Sequence, residues 1–219
     1  MRFSSGVILT RKGQVAASKL ERIRDKMFEQ NKSLGIGNYY KWRETLLKSP
    51  LFDCLSQMPK PVVHHAHVTA CATLKLLVML TYYDFVFYSE KENKFFASKK
   101  GCDLEGYVKV NSLRQYAKSA VEFDEELMEK MKLNPPTDVI EDHKVWEGFQ
   151  YKFMLTNDLY NYEPFFEKIL YKVCKNYLKE MVTVLEIRHI FGMIFDDDHK
   201  PIPLEKEIEI FHRVQLTIQ

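Results

Sequence analysis

The sequence predicts an α/β fold, on three observations. Two short stretches rich in β-branched residues, "PVVHHAHV" at 61–68 and "VTVLEIRHIF" at 182–191, have the composition of strands. Long stretches with apolar residues at helical spacing separate them. Polar residues able to do chemistry sit toward the ends of both strands, His65 and His67 on the first and Glu186 and Arg188 on the second. In α/β folds the ends of strands are where sites are built.

Residues 14–32 read as an amphipathic helix, with Val15, Leu20, Ile23, Met27 and Phe28 recurring between charges. "GIGN" at Gly35–Asn38 breaks it. A second helix is expected over Tyr39–Leu47 and a third, short one over "KSPLFDCLSQ". Pro61 suits the first position of the strand that follows. "TACATLKLLVMLTYY" reads as helix. "DFVFYSEKENKFFAS" alternates like a hairpin, with Phe85 and Phe87 before the polar turn and Phe95 and Phe96 after it. Gly101 to Gly106 is a loop. "SLRQYAKSAV" and "EFDEELMEKMKL" are helical, the second with Asp124 as its candidate N-cap. "NPPTD" at Asn134–Asp138 ends it.

Glu141–Leu155 is expected to be a helix carrying Val145, Trp146, Phe149 and Phe153. "YEPFFEKILYKVCKNYLKEM" is the clearest helix, its apolar set being Phe165, Phe166, Ile169, Leu170, Val173, Tyr177 and Leu178. "VTVLEIRHIFGMIF" is apolar on both sides until Glu186 and Arg188, the pattern of a fully buried parallel strand. "DDDHKP" is a loop and "LEKEIEIFHRVQLTI" a last helix.

Composition narrows the function classes. The chain of 219 residues is 46% apolar, enough for a sizeable core, and its net charge of +2 gives no electrostatic case for nucleic acid or an anionic membrane. No apolar run reaches the ~18 residues of a membrane span. The N-terminal "MRFSSGVILTRKG" is too short in apolar residues for a signal peptide. The four cysteines form no CxxC pair, the usage of a reduced, cytoplasmic protein.

The densest chemistry is "VVHHAHV". Strand side chains alternate, so His65 and His67 share one face and His64 takes the other. Two imidazoles one strand step apart can ligate a single zinc ion, which needs further ligands besides. Spacing alone leaves open a second reading, three exposed polar residues at a strand end. His143, His189, His199 and His212 are lone histidines with ordinary explanations. Glu186 and Arg188 also share a face, as an interior ion pair or part of a site wall. Trp146 is core by default, or stacks on a flat ligand. No P-loop, GxGxxG or GxSxG is present, nor the HxE and PCxxC pair of one zinc deaminase class.

"QMPKPVVHHAHVTA" resembles the MPKG-x-LH-x-H opening of the adenosine deaminase growth factor branch of the adenosine deaminases. The likeness continues in order through "VILTRKGQVAASKLERIRDK", "SPLFDCLSQMPK", "VEFDEELMEKMKL", "VWEGFQYKFMLTNDLYNYEPFFEKIL" and "VTVLEIRHIF". It implies the N-terminal portion of a (β/α)8 metal-dependent hydrolase barrel that converts adenosine to inosine and ammonia with zinc. Residues 1–56 would be a helical arm used for homodimerisation, and 57–219 a partial barrel with an insertion at about 83–135. His65 and His67 match the first two zinc ligands. Trp146, Phe149 and Phe153 match a stretch lining the nucleoside pocket.

The departures are specific. The family places an Asp, which contacts ribose, where this chain has Val68. Pro61 stands for the family glycine after "MPK". Cys102 matches one half of a family disulfide whose other half is missing. The third zinc histidine, the catalytic glutamate of an HxGE segment, a later histidine and a late aspartate have no counterpart after Arg188, so only about two of the eight barrel strands are expected and no catalytic residue is assigned. The chain alone is therefore expected to be inactive. The alternative is a non-catalytic paralogue acting as an interaction or dimerisation module.

Overall fold

The computed structural model describes residues 8–31, 39–133 and 142–218. The breaks expected at Gly35–Asn38 and Asn134–Asp138, and the helix start expected at Glu141, lie outside the described residues. The chain forms two compact units, Met1–Lys60 and Pro61–Gln219.

Among the described residues the first unit holds three helices: α1 (Arg11–Gln30), α2 (Tyr39–Leu47) and α3 (Pro50–Ser56). Thr10 starts α1, its hydroxyl accepting from the Gly13 amide at 3.2 Å. Ser49 starts α3 in the same way, with Pro50 preset for the first turn. Ile23 and Met27 of α1 line a groove of about 400 Å3 with Thr45, Ser49 and Pro50. No residue of α1 is buried, and Val15 and Phe28 are exposed.

The second unit begins with β1 (Lys60–His67), whose first residue is the last of the first unit. The expected helix after it is two short ones, α4 (Val68–Cys71) and α5 (Leu74–Leu80). The break falls at Ala72, whose backbone is extended, and Thr73 recaps the chain by accepting from the Leu76 amide. The hairpin forms as β2 (Val86–Ser89) against β3 (Lys94–Ala97), antiparallel, with Phe87 opposite Phe96 and Tyr88 opposite Phe95. Phe85 lies just before it. β4 (Val108–Lys109) adds to the far edge of β2. α6 (Val110–Tyr116) and α7 (Ala120–Met131) follow. The N-cap of α7 is Ser119, not Asp124. Asp124 instead accepts from the buried Arg114, which also donates to Asn111 and Thr81. A buried guanidinium without such partners would be costly, and that demand takes Asp124 away from capping.

α8 (Asp142–Asn161) and α9 (Glu163–Lys179) follow, and β5 (Val182–Arg188) and α10 (Leu204–Ile218) close the described chain. On α9, Phe165, Phe166, Ile169, Leu170 and Val173 recur on one face and are all buried, while Leu178 is exposed. That face meets α8, α10 and β5, and Phe165 stacks on Phe85 with ring centroids 5.6 Å apart. The molecule is thus mixed helix and strand, with small sheets: β1 beside β5, and β3-β2-β4. β5 is not the fully buried strand its composition predicts. Val184 is 51% exposed, because among the described residues β5 has one strand neighbour and an open groove of about 490 Å3 runs between it, α9 and α10.

The loop after β5 folds back onto this core. The Phe195 amide donates to Asn161 O and the Glu163 amide to Phe195 O, both at 2.9 Å. His199 stacks between Phe96 and Phe195, with Asp158 3.9 Å from its Nδ1. Among the described residues its Nε2 is the one buried side-chain nitrogen or oxygen without a partner. Burial pushes the Asp158 carboxyl above its ordinary value, against smaller pulls from Asn157 and His199. The folded state therefore keeps this proton to higher pH than the unfolded chain. Its contribution to stability is complete below the unfolded value of about 3.9 and is lost as pH rises through the folded value. Asp158→Asn is expected to raise stability at pH 7–8 and to leave it unchanged well below the unfolded carboxylate range, read as urea midpoints at the two pH values.

Candidate ligand site at the ends of β1 and β5

His65 and His67 do share a face. Their Nε2 atoms meet at 2.9 Å, with ring centroids 4.8 Å apart and planes tilted by 52°. Two nitrogens on one tetrahedral zinc, at ordinary Zn–N lengths, lie about 3.3 Å apart, so a small spreading of the rings would seat an ion between them. In donor type and separation the pair fits two zinc positions. Among the described residues no group of three His, Cys, Asp or Glu side chains comes together. Further ligands must come from outside this set.

β5 supplies the groups behind the pair. His64 Nδ1 and Glu186 are 3.1 Å apart. Arg188 Nε donates to His65 Nδ1 at 3.3 Å, and its NH2 group donates to His64 O at 3.1 Å and to Glu186 at 3.3 Å. The His64 hydrogen bond, with Arg188 beside it, holds the Glu186 carboxyl below its ordinary range. Glu186 and Arg188 are an ion pair, but a half-exposed one rather than an interior one.

Beside the pair lies a cavity of about 190 Å3, lined by His67, Thr69, Phe153, Asn157, Tyr160, Asn161, Arg188, His189, Ile190 and Met193. A second, of about 170 Å3, is lined by residues that include Phe149, Lys152, Phe153, Thr156 and Tyr160. Phe153 belongs to both. Trp146 is not core: it is 58% exposed and stacks on Phe149 at 5.6 Å, and Phe149 meets Phe153 edge-on at 4.8 Å. The three aromatic candidates therefore form one ladder on α8, whose last rung reaches the histidines' cavity. Trp146 lines neither cavity. Val68 is 2% exposed and packs in the core, so the position after His67 offers the cavity no polar group.

Some lining residues were not legible as such. Asn157, Tyr160 and Asn161 follow Phe153 at helical spacing on α8, and these polar residues within an apolar stripe were the available signal. Asn161 donates to Asn157 at 2.8 Å, which orders the two amides. Burial pushes the Tyr160 phenol up, so it stays a neutral hydroxyl. His189 is no ordinary surface histidine. Its side chain is 7% exposed and hydrogen-bonds through Nε2 to the fully buried Glu207. Glu207 also accepts from the Gly192 amide at 2.8 Å, and Gly192 has φ +83°, a backbone glycine adopts freely. The His189 ring is packed by Phe166, Phe191 and Phe211. Nothing in the spacing of His189 and Glu207 announces this pair.

All four cysteines are free thiols. No helix is long and apolar enough to cross a membrane, among the described residues.

No family model matches the chain. Curated proteins do. The chain is 23% identical over 208 residues to adenosine deaminase 2-A of Danio rerio, covering 90% of this chain and 41% of that protein. It is 21% identical over 213 residues to adenosine deaminase 2 of Sus scrofa, covering 90% and 42%. It is 21% identical over 206 residues to an adenosine deaminase of Phlebotomus duboscqi, covering 90% and 40%. The chain spans about two fifths of the length of these relatives. Similarity carried across nine tenths of the chain makes the sequence adenosine deaminase-like.

Proposed function

We propose that the chain carries the first two zinc ligands and part of the nucleoside pocket of an adenosine deaminase of the growth-factor branch, built on part of a (β/α)8 barrel. The observation that carries this reading is that His67 and Phe153, from distant parts of the sequence, line one cavity. His65 and His67 would hold the metal through Nε2. Zinc bound there would supply activated water for replacing the amino group of the purine. Phe153 offers an apolar surface to a flat base, and Thr69, Asn157 and Tyr160 offer hydrogen-bonding groups at its edge. With Val68 turned into the core, the sugar lacks the contact that the resemblance implies.

Deamination needs more than this set supplies, since two imidazoles leave a zinc site short of ligands. The proposal is therefore a nucleoside-binding chain that forms no inosine by itself. Adenosine titrated into the 219-residue chain, followed by NMR, is expected to bind saturably, and Phe153→Ala to weaken it about tenfold. Absence of saturable binding, or equal affinity in the variant, contradicts the reading. A second reading, an association module, is favoured by Val15 and Phe28 left exposed on α1. A stable dimer that binds no adenosine would select it.

A further inference from the structure

The outer nitrogen of a metal-ligating histidine normally donates its N–H to a carboxylate, carbonyl or water, and this leaves a lone pair on the nitrogen that faces the ion. His65 has the reverse arrangement. Arg188 Nε, which has only a hydrogen to offer, points at its Nδ1 at 3.3 Å. Nδ1 must then carry the lone pair, and in a neutral ring the proton resides on Nε2. That proton points at His67 Nε2, 2.9 Å away, which accepts it. His67 is left with its proton on Nδ1, the tautomer a metal needs. One ring of the pair is therefore ready to ligate and the other is not. The same guanidinium carries a positive charge against the ring that would hold a dication. It is held there by Glu186 and by the carbonyl of His64, so its position is built rather than incidental.

We propose that Arg188 locks His65 in the tautomer that cannot ligate through Nε2, so that metal enters the His65/His67 pair only when the guanidinium leaves His65 Nδ1. Arg188 is a positioning residue that sets metal affinity. This inference rests on the zinc reading of the pair. It deepens that reading by making occupancy conditional on one side chain of β5. Whatever draws Arg188 away, such as an anionic ligand group in the adjoining cavity that Arg188 also lines, would favour metal binding.

The test compares wild type, Arg188→Met and Arg188→Lys in the full chain, with zinc affinity from calorimetry and the His65 tautomer from nitrogen-15 NMR of the metal-free protein. Methionine removes the donor and the charge, and lysine keeps both. Wild type and Arg188→Lys should bind zinc weakly and show His65 protonated on Nε2. Arg188→Met should bind zinc at least about tenfold more tightly, the range by which outer partners move metal affinity, and should show His65 with Nδ1–H populated. Equal zinc affinity in all three proteins would overturn the role of Arg188 and leave the zinc reading standing. No zinc binding in any of them would overturn the zinc reading, and this inference with it. A His65 ring protonated on Nδ1 in wild type would overturn the tautomer argument by itself.

Discussion

Glu207→Ala is expected to destabilise the second unit by about 3–5 kcal/mol, from an unsatisfied buried donor together with the void the side chain leaves. The Glu207 side chain is fully buried and serves two donors, His189 Nε2 and the Gly192 amide. Of the two, His189 is the shielded donor, since Gly192 itself is exposed. His189 is enclosed by the rings of Phe166, Phe191 and Phe211. Alanine would leave the enclosed imidazole N–H unsatisfied and open a void beside Ile210 and Val214, which are buried on the same helix. The double variant Glu207→Leu/His189→Phe should lose less than the sum of the single changes, because it removes the polar partners together. Because His189 lines the cavity beside His67, Glu207→Ala should also perturb NMR signals of that cavity. The check is a urea unfolding series. A loss below about 1 kcal/mol, a surface-like value, would show that the pair is not what fixes the loop after β5.

The helices were legible because their apolar residues follow a 3.6-residue period. On α9 five of the seven expected apolar residues are the buried ones. The hairpin was legible from its alternation, and β1 from Val62 and Val63. What the sequence misplaced has physical causes. Asp124 fits a cap by composition, yet the buried Arg114 on the preceding helix claims it. The apolar run of β5 reads as buried on both sides, yet burial is set by neighbours, and β1 is the one strand neighbour among the described residues. In the site, His65 and His67 were legible because a two-residue step in a strand fixes their face. Trp146, Phe149 and Phe153 were singled out through the resemblance, with core as the other reading of Trp146, but their stacking into one ladder on α8 was not legible. The His189–Glu207 pair and the donation from Arg188 to His65 were not legible. Both depend on contacts between segments and on hydrogen-bond direction, and neither leaves a periodic trace.

The largest functional effect is expected at the histidine pair itself. His65 and His67 converge at a solvent-accessible strand end, so replacing both with alanine removes donors without opening a core. Stability should stay within about 0.5 kcal/mol of wild type, as for other surface changes. Zinc binding should disappear, because no third side chain of the right type stands beside the pair among the described residues. Single replacements should do nearly as much, since one imidazole cannot hold the ion against water.

Whether the histidine pair is a metal site is decided by a zinc titration of the folded 219-residue chain beside His65→Ala/His67→Ala, with the bound metal counted per chain. Saturable one-to-one binding is expected in wild type, weak while Arg188 remains in place, and none in the double variant. Binding that is the same in both proteins, or absent from wild type, would contradict the assignment of "VVHHAHV" as the first half of a zinc site.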